Sequence, residues 1–193
     1  MEKVIETLTI DIETTGLPAK GADYETQYNQ FPRIVELAFK VNAEAVESYI
    51  INQEGFTVPD DVIKIHGVTN EMCQASSMPL ATMIMILLKE GRGANLIVGH
   101  NIYFETSIIK ANVLRLVAEG KLHKEQYEEL NIMLDKDKRV DTVKKGMAIT
   151  KKWPKLHELY HALFRKEFNR HHAADDCQAC YECYVELKKR GLA

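Results

Sequence analysis

The stretch Val4-Ile5-Glu6-Thr7-Leu8-Thr9-Ile10-Asp11-Ile12-Glu13-Thr14-Thr15-Gly16-Leu17 decides the reading of this chain. Residues 4–12 are rich in apolar and β-branched side chains and run into Thr14-Thr15-Gly16, the composition of a strand that ends in a turn. Side chains two apart on a strand share a face, so Asp11 and Glu13 project together from its end. Stability does not account for such a pair, because repulsion and lost hydration both raise the cost of ionising neighbouring carboxylates. A divalent cation between them removes that cost. Taken alone, the pair is equally well explained as two solvated carboxylates just past a strand end.

Working outward, residues 17–31 are polar, with Pro18, Gly21 and Asn29, and read as a long loop of the kind that often carries function. Residues 33–41 and 46–52 are two strands with a short connection, a hairpin. Residues 59–70 contain Ile65-His66-Gly67-Val68-Thr69, a turn into a helix capped by Thr69 or Asn70. Residues 80–90 read as a helix. Residues 95–98 are a short apolar strand followed by Gly99-His100-Asn101. Residues 104–119 form an amphipathic helix with Ile108, Ile109, Val113, Leu114 and Leu116 on its apolar face. Val140-Asp141-Thr142 is a strand end. Residues 155–164 and 173–190 are helices, the second stopped by Gly191. This order predicts an α/β fold, a mixed β-sheet flanked by helices. Without repeats or a Pro/Gly-rich linker, residues 1–193 read as a single domain.

Composition narrows the function. At 193 residues, with 46% hydrophobic and 27% charged side chains, the chain can build a full globular core. A net charge of −3 argues against coating long duplex DNA. A strand end engages few phosphates, and bound metal ions can supply positive charge that side chains lack. The apolar run 80–88 is too short to span a bilayer, and no basic region followed by an apolar run opens the chain. Four cysteines do not make a disulfide scaffold at this length. The expectation is a cytoplasmic protein with reduced thiols and no membrane partner.

Two further clusters carry chemistry. His100-Asn101-Ile102-Tyr103-Phe104-Glu105 follows the short strand and opens a helix. By itself, Glu105 reads as an acid favoured by the helix dipole. His171-His172-Ala173-Ala174-Asp175-Asp176 opens the last helix. On one continuous helix His171 and Asp176 would face different ways. From a loop before the helix, His171 can stand over Asp176 and take a proton from a water there.

The order Asp-x-Glu, Asn-x-x-Phe-acid, His-x-x-x-x-Asp resembles the DEDDh 3'→5' exonucleases, the family of the proofreading epsilon subunit of bacterial DNA polymerase III. Asp11 to Leu17 matches its first motif, His100 to Glu105 resembles the second, and His171 to Asp176 the third. Arg33-Ile34-Val35-Glu36-Leu37-Ala38, Ile65 to Thr69, Val140-Asp141-Thr142 and Lys155-Leu156 look like supporting landmarks, so the resemblance covers nearly the whole chain. It implies a ribonuclease H-like fold and two divalent cations, Mg²⁺ or Mn²⁺, held by Asp11, Glu13, Glu105 and Asp176. It implies His171 as general base and a nucleoside 5'-monophosphate product. It also implies that Thr15, Gly16 and Leu17 line the strand's 3' end, with Leu17 wedged against a base, and that His66, Asn101 and Phe104 complete the pocket. The partner is then the 3' end of DNA, with RNA as an alternative. A polymerase or repair partner is compatible, although a stand-alone enzyme is the expectation. One position departs from the family: Glu105 stands where the motif has Asp. It keeps the charge, adds a methylene, and sets up the rival reading of a catalytically weakened nucleic-acid-binding scaffold.

Other features have plainer readings. Cys177, Cys180 and Cys183 fall at helical spacing with no fourth cysteine nearby, and read as small buried side chains rather than a metal site. Lys136-Asp137-Lys138-Arg139 and Lys144-Lys145 read either as solvated faces or as contacts to a strand's phosphates.

Overall fold

The computed structural model describes residues 4–193; residues 1–3 of the expected 1–193 domain lie outside the described residues. The elements run β1 (Thr7–Thr14), β2 (Ile34–Val41), β3 (Glu47–Ile50), α1 (Asp60–His66), α2 (Asn70–Ala75), α3 (Leu80–Gly91), β4 (Leu96–Gly99), α4 (Ile102–Ala118), α5 (Lys124–Met133), β5 (Arg139–Asp141), α6 (Thr142–Thr150), α7 (Leu156–Phe164) and α8 (Ala173–Lys189). The strands form one five-stranded sheet in the order β3-β2-β1-β4-β5. β2 pairs antiparallel with both β1 and β3, whereas β1, β4 and β5 are mutually parallel. The expected mixed sheet flanked by helices is therefore present.

The central strand shows how two-residue periodicity sorts the chemistry. Leu8, Ile10 and Ile12 of β1 join Leu37, Phe39 and Val41 of β2 in the main core, with α3, α4 and α5 beneath them. The alternate residues Thr9, Asp11 and Glu13 face the other way, toward α8. There Ala38, Ala173 and Cys177 form a contact of small side chains, and the Cys177 thiol donates to the Thr9 carbonyl at 3.6 Å. Small residues on both sides bring α8 close to the sheet and its first turn close to the end of β1.

The structure adds three helices to the sequence reading. α1 lies within residues expected to form a turn. Its seven residues open with Asp60 and Asp61, favourable to the helix dipole, and end at Gly67 in the left-handed region at φ 74°. α5 buries few of its side chains, so it carries almost no apolar stripe. α6 contains Gly146, a poor helix former. That glycine is needed: a Cβ there would lie 2.8 Å from both methyls of Leu159, so it sets how closely α7 approaches α6.

The loop between β1 and β2 is tied down from α4. Arg115 is buried and donates to the carbonyls of Tyr28 and Phe31 at 2.8 and 3.0 Å, while Asn112 donates to Pro32 at 2.9 Å. Removing the guanidinium leaves the Phe31 carbonyl and the Asn112 Oδ1 without their donor, and the Tyr28 carbonyl with only the Phe31 N–H at 3.2 Å. Arg115→Ala is expected to cost about 2–3 kcal/mol in urea unfolding, through those unpaired groups. An unchanged midpoint would mean that the loop is held without the guanidinium.

Candidate active site

Because β1, β4 and β5 run parallel, their C-terminal ends open on the same edge of the sheet. β1 delivers Asp11 and Glu13 to that edge, α4 starts there with Glu105 in its first turn, and α8 brings Asp176 in its own first turn. One carboxylate oxygen from each of Asp11, Glu13 and Asp176 lies within 4.8 Å of the others, and among the described residues this is the one such group of three or more His, Cys, Asp or Glu. Glu105 stands outside that three-way set but repels Asp11 more than any other neighbour does. It is 5% exposed, and its Oε2 has no hydrogen-bond partner among the described residues.

Burial and repulsion hold these carboxyls far from their ordinary behaviour. Asp11 is pushed well up, first by burial and then by Glu105, Asp176, Glu13 and Glu36. Glu105 is likewise pushed well up by burial and then by Glu13, partly offset by the Ile12 backbone. Burial, then Asp176 and Glu36, carries Glu13 from 4.5 to about 8. Asp176 moves from 3.8 to about 6, chiefly by burial. Four carboxylates with an orphaned buried oxygen are an all-oxygen donor set, suited to hard divalent cations such as Mg²⁺ or Mn²⁺.

His171 lies in the loop before α8 in the left-handed conformation, φ 66°. Its backbone N–H, not its ring, donates to Asp176 Oδ2 at 3.0 Å, fixing that carboxylate. The ring is exposed. Burial of part of the side chain, then Arg170, His157, His172 and Lys155, lowers its pKa, so the imidazole is neutral at pH 7. His172 is the N-cap residue of α8, and its ring stands over Gly67.

The six residues expected around a strand end separate into two groups. Leu17 is 81% exposed, so core packing does not explain it. Gly16, at φ 146°, turns the chain away from β1 in a conformation that favours glycine. Asn101 and Phe104 line a cleft of about 330 Å³ whose opposite wall is residues 18–22 of the loop after β1. Thr15 and His66 are instead committed to protein contacts. The Thr15 hydroxyl accepts from the Arg33 N–H at 2.9 Å. His66 is 2% exposed; its Nδ1 accepts from the Val68 N–H, so Nε2 carries the proton and faces the Thr14 carbonyl at 3.3 Å. In this structure His66 braces the end of β1 and does not line the cleft.

Two positioning residues went without a role in the sequence. Glu36 on β2 lies opposite Glu13, takes the Ser48 hydroxyl at 2.7 Å, and accepts from the first N–H of α8, that of Ala173, at 3.3 Å. It thus anchors the helix that carries Asp176. His100 faces the Thr142 hydroxyl at 2.9 Å through Nδ1 and the Pro154 carbonyl at 3.1 Å through Nε2, and burial pulls its pKa to about 4. It links the start of α4 to the loop before α7. An acid inside the apolar run 33–41 was the available signal for Glu36; no comparable signal marked His100. The three cysteines of α8 are buried free thiols, as their spacing suggested.

The raised carboxyl pKa values make a stability prediction. Each such group binds its proton more tightly folded than unfolded, so stability is greatest below the ordinary carboxylate range and falls as pH rises through the folded values. For Glu13 that window runs from 4.5 to about 8. In EDTA the melting temperature should fall between pH 5 and pH 8, and Mn²⁺ should restore it at pH 8. A metal-free melting temperature that rises steadily across this range would mean that the carboxylates are not electrostatically strained.

Comparison with known proteins agrees with this architecture. The family profile described as Exonuclease matches residues 8–184. No curated protein sequence matches the chain significantly. Among solved structures, exonuclease X in complex with 5' overhanging duplex DNA superposes with a TM-score of 0.57 at 16% identity, over 95% of this chain and 92% of that one. The zinc-bound E. coli ExoI–ssDNA complex gives 0.69 at 17% identity over 97% of this chain, which spans 41% of that structure. The nuclease domain of 3'hExo, a DEDDh family member bound to rAMP, gives 0.65 at 14% identity over 100% and 96%. These likenesses establish the ribonuclease H-like fold, and the profile match over residues 8–184 shows that the chain belongs to the exonuclease family.

Proposed function

We propose that the protein is a DEDDh-type 3'→5' exonuclease acting as a single catalytic domain that removes nucleoside 5'-monophosphates from the 3' ends of DNA. The observation that carries this reading is the convergence of Asp11, Glu13 and Asp176 within 4.8 Å beside the buried Glu105, whose Oε2 has no hydrogen-bond partner among the described residues. Isolated like charges of this density are costly, and their all-oxygen chemistry suits two divalent cations, Mg²⁺ or Mn²⁺. When bound, such ions stabilise the charge that develops on the attacking and leaving oxygens of a phosphodiester.

The remaining work falls to the chain. Asp11, Glu13, Asp176 and Glu105 would hold the cations. The neutral His171 ring, on a loop fixed through its own N–H to Asp176, takes the proton of the attacking water. Leu17, exposed at the mouth, and Phe104, in the cleft with Asn101, contact the terminal nucleoside through faces that every base offers. Glu36 and His66 keep the two catalytic segments in register. Four free thiols fit a reducing, cytoplasmic setting, and no described helix is long and apolar enough to cross a membrane.

Glu105 supports catalysis over the scaffold alternative. Its longer side chain is buried close enough to Asp11 to repel it, and one of its oxygens, Oε2, is left without a hydrogen-bond partner among the described residues, which suits a ligand better than a residue released from the site.

The test is digestion of a 5'-labelled single-stranded DNA oligonucleotide with Mg²⁺, Mn²⁺ or EDTA, with RNA of the same sequence in parallel. A ladder shortening from the 3' end, abolished by EDTA and by Asp11→Ala, is expected. A folded protein that shortens neither strand with either metal would favour the scaffold. His171→Ala should lose about 10²–10⁴-fold in kcat. The wild-type rate should fall on the acid side, below pH 6.5, as the imidazole charges. A flat acid limb would remove His171 as the base.

A further inference from the structure

A second hollow opens where β5 ends and α6 begins and is lined by Tyr103, Lys136, Arg139, Lys144 and Lys145, with Ile102 and Asp141 at its base. Its wall toward the first cleft is Tyr103, which lines both and is 63% exposed. Asp141, at the end of β5, lies two strands from β1 in the order β1-β4-β5, which puts the hollow roughly 10 Å from the catalytic strand on the same sheet edge.

Its charge is exceptional for this molecule. The chain carries a net charge of −3, yet four cations line this one hollow. Among the described residues, none of the four forms an ion pair, whereas Lys89, Lys121, Lys124 and Lys152 all do. Arg139 is held rigid by two donations to the Leu134 carbonyl, at 3.1 and 2.7 Å. The one acid present, Asp141, accepts through Oδ1 from the Asn101 and Val143 N–H groups, both at 3.0 Å. Lys144 and Lys145 sit in the first turn of α6, where the helix dipole disfavours positive charge. Stability would put acids there. Two unpaired lysines against the dipole, facing a fixed arginine and an exposed ring, answer to an anionic ligand with flat groups between its charges.

We infer that this hollow holds backbone phosphates of the nucleic-acid strand on the 5' side of the scissile bond, with Tyr103 stacking between the terminal nucleotide and the rest. This rests on the exonuclease reading and deepens it: the preferred substrate is a strand of several nucleotides, not a dinucleotide, because the cations engage phosphates that a dinucleotide lacks.

The experiment measures binding and cleavage separately. Equilibrium binding of a fluorescent single-stranded DNA decamer is followed in EDTA across a salt series, for wild type, for Lys144→Ala/Lys145→Ala, and for Lys188→Ala/Lys189→Ala as an equal change of charge at the far end of α8. Hydrolysis of thymidine 5'-monophosphate p-nitrophenyl ester and of the decamer is followed with Mn²⁺. Removing Lys144 and Lys145 should weaken decamer binding at least tenfold and make the log–log salt slope shallower by about 1.4, about 0.7 for each phosphate no longer neutralised. It should raise the decamer KM and leave ester turnover unchanged, and the Lys188/Lys189 variant should match wild type. Decamer affinity and salt slope equal to wild type in the Lys144/Lys145 variant, or an equal loss in the Lys188/Lys189 variant, would overturn the inference, as would a wild type that does not bind the decamer. If binding responds as expected while wild type cleaves neither substrate, the hollow stands and the exonuclease reading falls.

Discussion

Four carboxylates that repel one another, two of them buried and two half-buried, are held at one sheet edge, and the rest of the structure is arranged around that unfavourable arrangement. A folded domain has only a modest net stability, so several buried like charges are a large local penalty. The site meets it in two ways. Raised pKa values let Glu13 hold its proton at neutral pH and Asp176 hold its own up to about pH 6, and a cation can take the place of those protons when it binds. The same features that make the cluster a poor stability element make it a strong ligand set.

The fold's contribution is convergence. A parallel pairing of β1, β4 and β5 brings three C-terminal strand ends to one edge, the usual location of functional groups in sheets of this kind. Two-residue alternation sends the apolar half of β1 into the core and the acidic half toward α8. Glu36 then fixes α8 by its first N–H, and the His171 backbone fixes Asp176, so Asp176 is oriented by contacts from two separate elements. His66 does the same for the first segment by bracing Thr14. Neither Glu36 nor His66 needs to touch a substrate to matter.

Much of this was legible in the sequence, because the strongest signals were local. The β-rich run into Thr14-Thr15-Gly16, the apolar face of α4 and the cap at Thr69 depend on near neighbours, and each appears where expected. Pairing Asp11 with Glu13 needed only the strand period. What stayed hidden is what long-range packing decides. α5 and α6 have weak helical signals because one is mostly solvated and the other carries a glycine required by Leu159. The separation of His66 from Asn101 and Phe104 depends on a hydrogen bond across 52 residues, which no spacing rule contains. The basic runs 136–139 and 144–145 read equally as solvated faces or as phosphate contacts, because only the packing of β5 and α6 brings them to one hollow.

The central claim is that the fold holds protonated carboxyls ready to exchange protons for divalent cations. Calorimetric titration of Mn²⁺ into the metal-free protein at pH 7, in two buffers of different ionisation enthalpy, tests it most directly. The account predicts binding accompanied by proton release, both sharply reduced in Asp11→Asn. Binding with no release of protons, or an Asp11→Asn variant that binds as wild type does, would contradict it.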